Sequence, residues 1–342
     1  MHSGHDTEAG RAALRIWLFS LAFLIFCMVI VGGAVRLTDS GLSITEWQPL
    51  LGAIPPLTEA DWAIAFEKYR QIPEYALVNN GMSLDDFKFI YWWEWSHRLL
   101  GRLIGAAFLL PFLFFWIKGY LTRALAMRLA VIFVLGGLQG ALGWYMVASG
   151  LSERVDVSQY RLAAHLVLAT IIFGAIIWVA LGLGKKRRPI GDIRPWFAMA
   201  LVGLVIAQVG MGGFVAGIDA GMGYNTWPLM DGRLIPNGLW VMSPAWRNIF
   251  ENALTVQFFH RLIAYVIALC VLIYAWRQRS SPALVLLAIV FLQITFGILT
   301  LLHQVPLSLA LIHQGGALIL LATALWNLHS RLVSRSPALD RQ

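Results

Sequence analysis

Apolar residues in this chain gather into eight long runs, at about residues 16–35, 94–117, 124–147, 160–184, 195–217, 253–276, 281–303 and 306–330. Each has roughly the 20 residues that a helix needs to cross a bilayer core. The polar stretches between runs are of two kinds. Short ones carry Lys and Arg, whereas the two long ones, 36–93 and 218–252, are rich in Trp, Pro and Gly. The pattern predicts an all-α membrane protein with eight transmembrane helices. The first run follows Arg11 and Arg15, as a signal peptide would. It is long for that role and no small-residue cleavage site follows, so it is read as a retained helix.

Charge sets the orientation. Arg11 and Arg15, then Lys118, Arg123 and Arg128, then Lys185, Lys186, Arg187, Arg188 and Arg194, then Arg277 and Arg279, and finally Arg331, Arg335 and Arg341 all fall on one side. That side is read as the cytoplasm, with both termini in it. Most acidic residues fall on the other side. The net charge of +8 is therefore a topology signal and not a nucleic-acid footprint. Only 13% of residues are charged, against about 25% in soluble domains. Cys27 and Cys270 both lie inside apolar runs, which excludes a disulfide framework in an outer loop.

The chain reads as two related halves. "VGGAVRLTDSGLS" at 31–43 resembles "MGGFVAGIDAGMG" at 211–223, and "EWSHRLLGRLIG" at 94–105 resembles "QFFHRLIAYVIA" at 257–268. "LQGALG" at 138–143 matches "LQITFG" at 292–297, and "LAAHLVLA" at 162–169 matches "LALIHQGGA" at 309–317. An even number of spans per half returns the chain to its starting side. The expectation is two pseudo-symmetric four-helix bundles about an axis along the membrane normal. The predicted organisation is a tail (1–15), an N-terminal bundle (16–184), a cytoplasmic linker (185–194), a C-terminal bundle (195–330) and a second tail (331–342). A short amphipathic helix is expected at about 59–70 in the first outer loop, either on the membrane surface or as part of an ordered cap.

His97, His165, His260 and His313 fall in the second, fourth, sixth and eighth runs. Each is placed within about two turns of the outer start of its helix, hence at one depth, ~5–10 Å below the interface. Two imidazoles on facing helices suit one iron held from opposite sides, with a porphyrin between them. Two halves then imply two haem sites. A single membrane histidine is as readily a packing residue; four at repeat-equivalent positions favour ligation. His303 is expected to be a surface residue, and His329, His2 and His5 are given no site role.

Glu94 lies three residues before His97, on the same helical face. Its counterpart is Gln257. A carboxylate can take a proton or stabilise positive charge, and an amide cannot. The first half is therefore read as a reaction site and the second as an electron-transfer site. The alternative is that Glu94 merely caps its helix. Arg98 and Arg261 follow their histidines and are expected to reach either a propionate or lipid headgroups. Arg102 should face a polar cavity or a carboxylate.

The "EWSHR" motif, the second "HR", the lone histidines of the fourth and eighth runs and the "GGAVRLTDSGLS" segment together resemble the haem A synthase family, over roughly residues 16–330. The resemblance implies oxidation of the C8 methyl of haem O to a formyl group in two steps, through an alcohol, with water as oxygen source. It implies that His97 and His165 hold the substrate haem O, that His260 and His313 hold a haem b cofactor, and that Glu94 is the catalytic carboxylate. The first outer loop lacks the cysteine pair of some bacterial members, so the chain is similar to the cysteine-lacking alphaproteobacterial and mitochondrial type. A multi-pass protein of the bacterial inner membrane is implied. Its partners would be membrane lipid, a haem O synthase, an unspecified electron acceptor and, in a homo-oligomer, its own copies. The competing readings are a di-haem b-type electron-transfer protein and a transporter.

Overall fold

The computed structural model describes residues 8–48, 51–151, 155–184 and 195–332. Residues 8–15, expected as tail, are the first two turns of the opening helix, whereas the predicted linker 185–194 with its basic cluster, residues 1–7 of the first predicted tail and residues 333–342 of the second lie outside the described residues. Among those residues the chain forms α1 (Glu8–Leu37), α2 (Glu59–Tyr69), α3 (Pro73–Leu77), α4 (Leu84–Ile117), α5 (Arg123–Ala148), α6 (Gln159–Gly182), α7 (Pro195–Gly217), α8 (Asn248–Glu251), α9 (Ala253–Gln278), α10 (Ser281–Leu302) and α11 (Leu307–Leu332), and no strand. All but α2, α3 and α8 are long and apolar enough to cross a membrane, which makes eight spans. Each is continuous, unlike the interrupted helices of many transporters.

The second span begins ten residues earlier than its apolar run. Ser83 caps α4 by accepting from the Asp86 amide, while the Asp86 carboxylate accepts from the Ser83 amide. Asp85, Asp86 and Lys88 read as loop, but the helix continues through them out of the hydrocarbon layer. The expectation that every histidine lies within two turns of its helix start is therefore wrong for His97. It holds for His165, His260 and His313 in α6, α9 and α11.

The emergent part of α4 anchors the first outer loop. α2 starts with its own capping box, Thr58 with Asp61, and lays Trp62 against Tyr91 with ring centroids 5.0 Å apart. Tyr69 and Phe87 are fully buried beneath it. The amphipathic helix is thus part of an ordered cap.

α1 packs on α4 and α6, as α7 packs on α9 and α11; α5 packs on α6, as α10 packs on α11. Between halves, α1 meets α11 and α6 meets α7. The apolar core includes Leu18, Leu21, Phe108, Leu129, Ile176, Leu201, Val271, Leu286 and Leu321. All lie toward the helix ends away from the four histidines. In lipid such a core is held by close packing, since lipid tails are as apolar as leucine. The outer loops are tied by charge: Arg36, at the end of α1, binds Asp39 and lies 3.5 Å from Asp156 within its own half. It also donates to both carboxylate oxygens of Asp219 and to the Ala216 carbonyl in the other half.

Candidate functional site

Each proposed ligand histidine is seated against a glycine of a neighbouring helix. A Cβ at Gly32 would stand 3.2 Å from His97 Nε2, and one at Gly143 3.0 Å from His165 Cε1. In the other half, a Cβ at Gly212 would stand 3.4 Å from His260 Cε1 and one at Gly297 2.8 Å from His313 Cε1. These glycines are repeat-equivalent in pairs, Gly32 with Gly212 and Gly143 with Gly297. Glutamines fix the helix backbone beside the rings. Gln139 Nε2 donates to the His165 carbonyl at 3.0 Å, Gln293 Nε2 to the His313 carbonyl at 2.7 Å, and Gln208 Nε2 to the His260 carbonyl at 3.0 Å.

The His260 and His313 rings lie 6.4 Å apart, centroid to centroid, with planes at 73°. Imidazole nitrogens bind metals at about 2.0–2.1 Å, so two rings trans across one ion have centroids roughly 6–6.5 Å apart. The pair has that spacing. His313 Nδ1 sits 3.1 Å from the Gln293 carbonyl, a contact that places the proton on Nδ1 and leaves Nε2 for the metal. His260 Nδ1 is buried without a partner, and its Nε2 lies 3.2 Å from Gln208 Nε2. A metal held by Nε2 would take the place of that ring contact, and the Gln208 bond to the His260 carbonyl could remain. In the first half, His97 and His165 are near enough to interact electrostatically, and His165 Nδ1 is buried without a partner. No cluster of three or more His, Cys, Asp or Glu suited to a bare metal ion exists among the described residues. Pairs of imidazoles suit an iron whose remaining ligands come from a porphyrin.

Glu94 is 3% exposed and lies about three turns inside α4, so it is not a helix cap. Arg98 Nε donates to Glu94 Oε1 at 2.6 Å. Arg98 also donates to the carbonyls of Ile44 (2.8 Å) and Glu46 (2.9 Å) in the first outer loop. The same arrangement recurs at Gln257, also 3% exposed. Arg261 donates to Gln257 Oε1 at 2.7 Å and to the Tyr224 carbonyl at 2.9 Å. Both arginines thus pin an outer loop to a histidine-bearing helix. Gln257 makes one further bond, from its Nε2 to the Ala220 carbonyl at 2.6 Å. In the first half the equivalent Ser40 carbonyl takes its bond from the Ser43 hydroxyl at 2.7 Å, and position 223, the counterpart of Ser43, is glycine. Glu94 is therefore not needed to hold the loop carbonyl.

Arg102 lines a cavity of about 390 Å³ with Arg98, Lys68, Glu46 and Gln48, as a polar-cavity position requires, and donates to the Gln48 carbonyl at 2.9 Å. His303 is exposed at the end of α10, and His329 stands edge-on to Trp178 at the opposite end of its helix. The residues that sequence reading passed over are the cradle glycines, the three glutamines and Ser43. Gly143, Gly297, Gln139 and Gln293 all sit inside the matched "LQGALG" and "LQITFG" segments.

A family model described as cytochrome oxidase assembly protein matches residues 15–325. A haem A synthase of Parvibaculum lavamentivorans is 54% identical over 94% of this chain and 95% of its own length. One of Chelativorans sp. is 56% identical over 92% and 91%, and one of Rhodospirillum centenum is 51% identical over 98% and 92%. With the match running through all eight spans, the chain belongs to the cytochrome oxidase assembly protein family.

Proposed function

We propose that this chain is a haem A synthase of the bacterial inner membrane, which converts haem O to haem A. The observation that carries the division of labour is the asymmetry of two otherwise similar settings: buried Glu94 beside His97 and buried Gln257 beside His260. In this reading His97 and His165 hold the substrate haem O, His260 and His313 hold haem b, and Glu94 acts on the substrate.

The C8 methyl and one water yield a formyl group, four electrons and four protons, in two two-electron steps through an alcohol, and the four electrons pass one at a time to an external electron acceptor. Haem b, when bound, supplies a one-electron carrier. With haem O bound, His97 and His165 would hold its iron and orient the ring; an iron so held would have no free position for oxygen, which would favour water as the oxygen source. Arg98 holds one oxygen of Glu94. The carboxylate then stabilises positive charge at the oxidised carbon or accepts the proton of the attacking water. A haem O synthase is the proposed donor of this water-insoluble substrate.

The test is pigment analysis of the purified protein after acid extraction. Haem b together with haem O or haem A is expected. Haem b alone at two equivalents would make the chain a di-haem electron carrier instead.

A further inference from the structure

The first outer loop, α2 and α4 enclose the cavity of about 390 Å³ that Arg98 and Arg102 line. Its walls are tied together. Arg98 donates to the Ile44 and Glu46 carbonyls and Arg102 to the Gln48 carbonyl. Gly52 lies so near that a Cβ there would stand 2.8 Å from Arg102 Nη2. On the α2 side, Lys68 donates to Glu46 Oε1 at 2.7 Å. Ile54, Leu57 and Ile64 line the cavity and are also exposed, so its open side is apolar.

This cavity is separate from the proposed haem site. Arg102 follows His97 by five residues, which turns it about 140° round α4 from the histidine face. Charge and depth indicate what the cavity suits. Lys68, Arg98 and Arg102 line it against Glu46 and Asp61, one positive charge in excess. Tyr91 also lines it and is 9% exposed. The Tyr91 ring packs on Trp62, and its hydroxyl makes no hydrogen bond among the described residues. A phenol so buried is a donor left for an oxygen atom in the cavity. Arg102 stands eight residues inside the apolar run that begins at 94. Beyond it on the same face of α4, at steps of three and four, come Ala106, Leu109 and Leu113, all exposed. A charged seat thus stands above an apolar stripe.

We propose that the cavity seats the phosphate of a phospholipid from the leaflet on that side of the membrane. Lys68, Arg102 and the Tyr91 hydroxyl are its donors, and an acyl chain lies along Ala106, Leu109 and Leu113. A phosphodiester carries one negative charge and complements the excess positive charge of the cavity. Free phosphate would satisfy the same donors but leave the apolar rim and stripe uncovered. Arg98 lies on the cavity wall and binds Glu94, so a seated lipid steadies the loop that Arg98 grips. The site stands whether or not the chain acts on haem O.

The test uses the full-length protein, stripped of bulk lipid in detergent, and phosphatidylethanolamine, whose zero net charge limits general attraction to basic segments. Native mass spectrometry should show one molecule retained per chain. A diacylglycerol with the same chains, which lacks the phosphate, should not be retained. Tyr91→Phe, which keeps the ring on Trp62, and Lys68→Glu should each weaken retention about 10-fold or more, the cost of losing a hydrogen bond to a charged group. Arg233→Glu, in the second outer loop, should leave it unchanged. Retention by Tyr91→Phe and Lys68→Glu equal to that of the unsubstituted protein overturns the proposal, as does equal retention of the diacylglycerol. Displacement of the lipid by millimolar inorganic phosphate would make the cavity a free-anion site, and displacement by haem O would make it a propionate seat; either overturns it. So does Leu109→Trp if it alters the oligomeric state with retention unchanged, which would give the stripe to a second copy. If Lys68→Glu does not fold, Tyr91→Phe decides alone.

Discussion

Glu94 and Gln257 occupy matching places, and the second half is a natural control for the first. Gln257 accepts from Arg261 at 2.7 Å much as Glu94 accepts from Arg98 at 2.6 Å. Glu94→Gln should therefore keep its arginine bond and leave folding and haem b content unchanged. Turnover of haem O should fall by about 10²-fold or more, the cost of removing an acid–base or electrostatic group. Chromatography of extracted haems reads this directly. Accumulated alcohol places Glu94 in the second oxidation and unreacted haem O places it in the first; near-normal haem A would sink its catalytic role. The proposed ligands separate in the same way. His260→Ala or His313→Ala should abolish tightly bound haem b, whereas His97→Ala or His165→Ala should keep it and lose activity; absorbance of purified variants decides. The cradle glycines give a finer probe. A Cβ at position 297 would come 2.8 Å from His313, so Gly297→Ala should displace that ring and lower haem b occupancy while His97 and His165 stay undisturbed.

Among the elements, the outer cap should make stability depend on pH. Glu74 in α3 is 3% exposed. Its carboxyl accepts from Tyr69 at 3.0 Å and from Asn79 at 3.4 Å. Burial raises its pKa from 4.5 to about 7, opposed by the Tyr69 hydrogen bond; Asp39 and Asp156 push it further up and Arg36 draws it back. The folded cap thus binds a proton that the unfolded chain releases near pH 4.5. Its contribution is complete below that pH and is lost as pH rises through about 7, on the order of 3 kcal/mol in all. Thermal unfolding followed at pH 5 and pH 8 should show the decline, and Glu74→Gln should flatten it. A decline that persists in Glu74→Gln assigns the effect elsewhere. This cap was the part of the fold least legible in the sequence. The eight spans could be read to within a few residues at most ends because hydrophobic length alone sets them. The start of α4 could not, because the helix outruns the apolar signal and is set by Ser83, Asp86 and aromatic packing on Trp62. At the candidate site the histidines and Glu94 stood out as polar groups in apolar runs. The cradle glycines did not, because a glycine in a membrane helix is ordinary until its neighbour is known.

At the scale of the whole molecule, the helix neighbours in one half correspond to those in the other. We propose that α1, α4, α5 and α6 superpose on α7, α9, α10 and α11 about an axis near the membrane normal. An experimental structure in which the two sets pack differently would refute this. The halves meet along α1 with α11 and α6 with α7, and at the outer end Arg36 adds a clasp, gripping Asp39 on its own side and Asp219 and the Ala216 carbonyl across the divide. Each such exposed ion pair adds only ~0.2–1 kcal/mol, so its weight lies elsewhere. In the proposed reaction, electrons must leave one half and arrive in the other without a carrier that diffuses. The rate of such a jump depends steeply on the gap. The packed faces of α6 and α7 and of α1 and α11 hold that gap; the Arg36 clasp trims it at the outer end, and what a rigid gap protects is tempo.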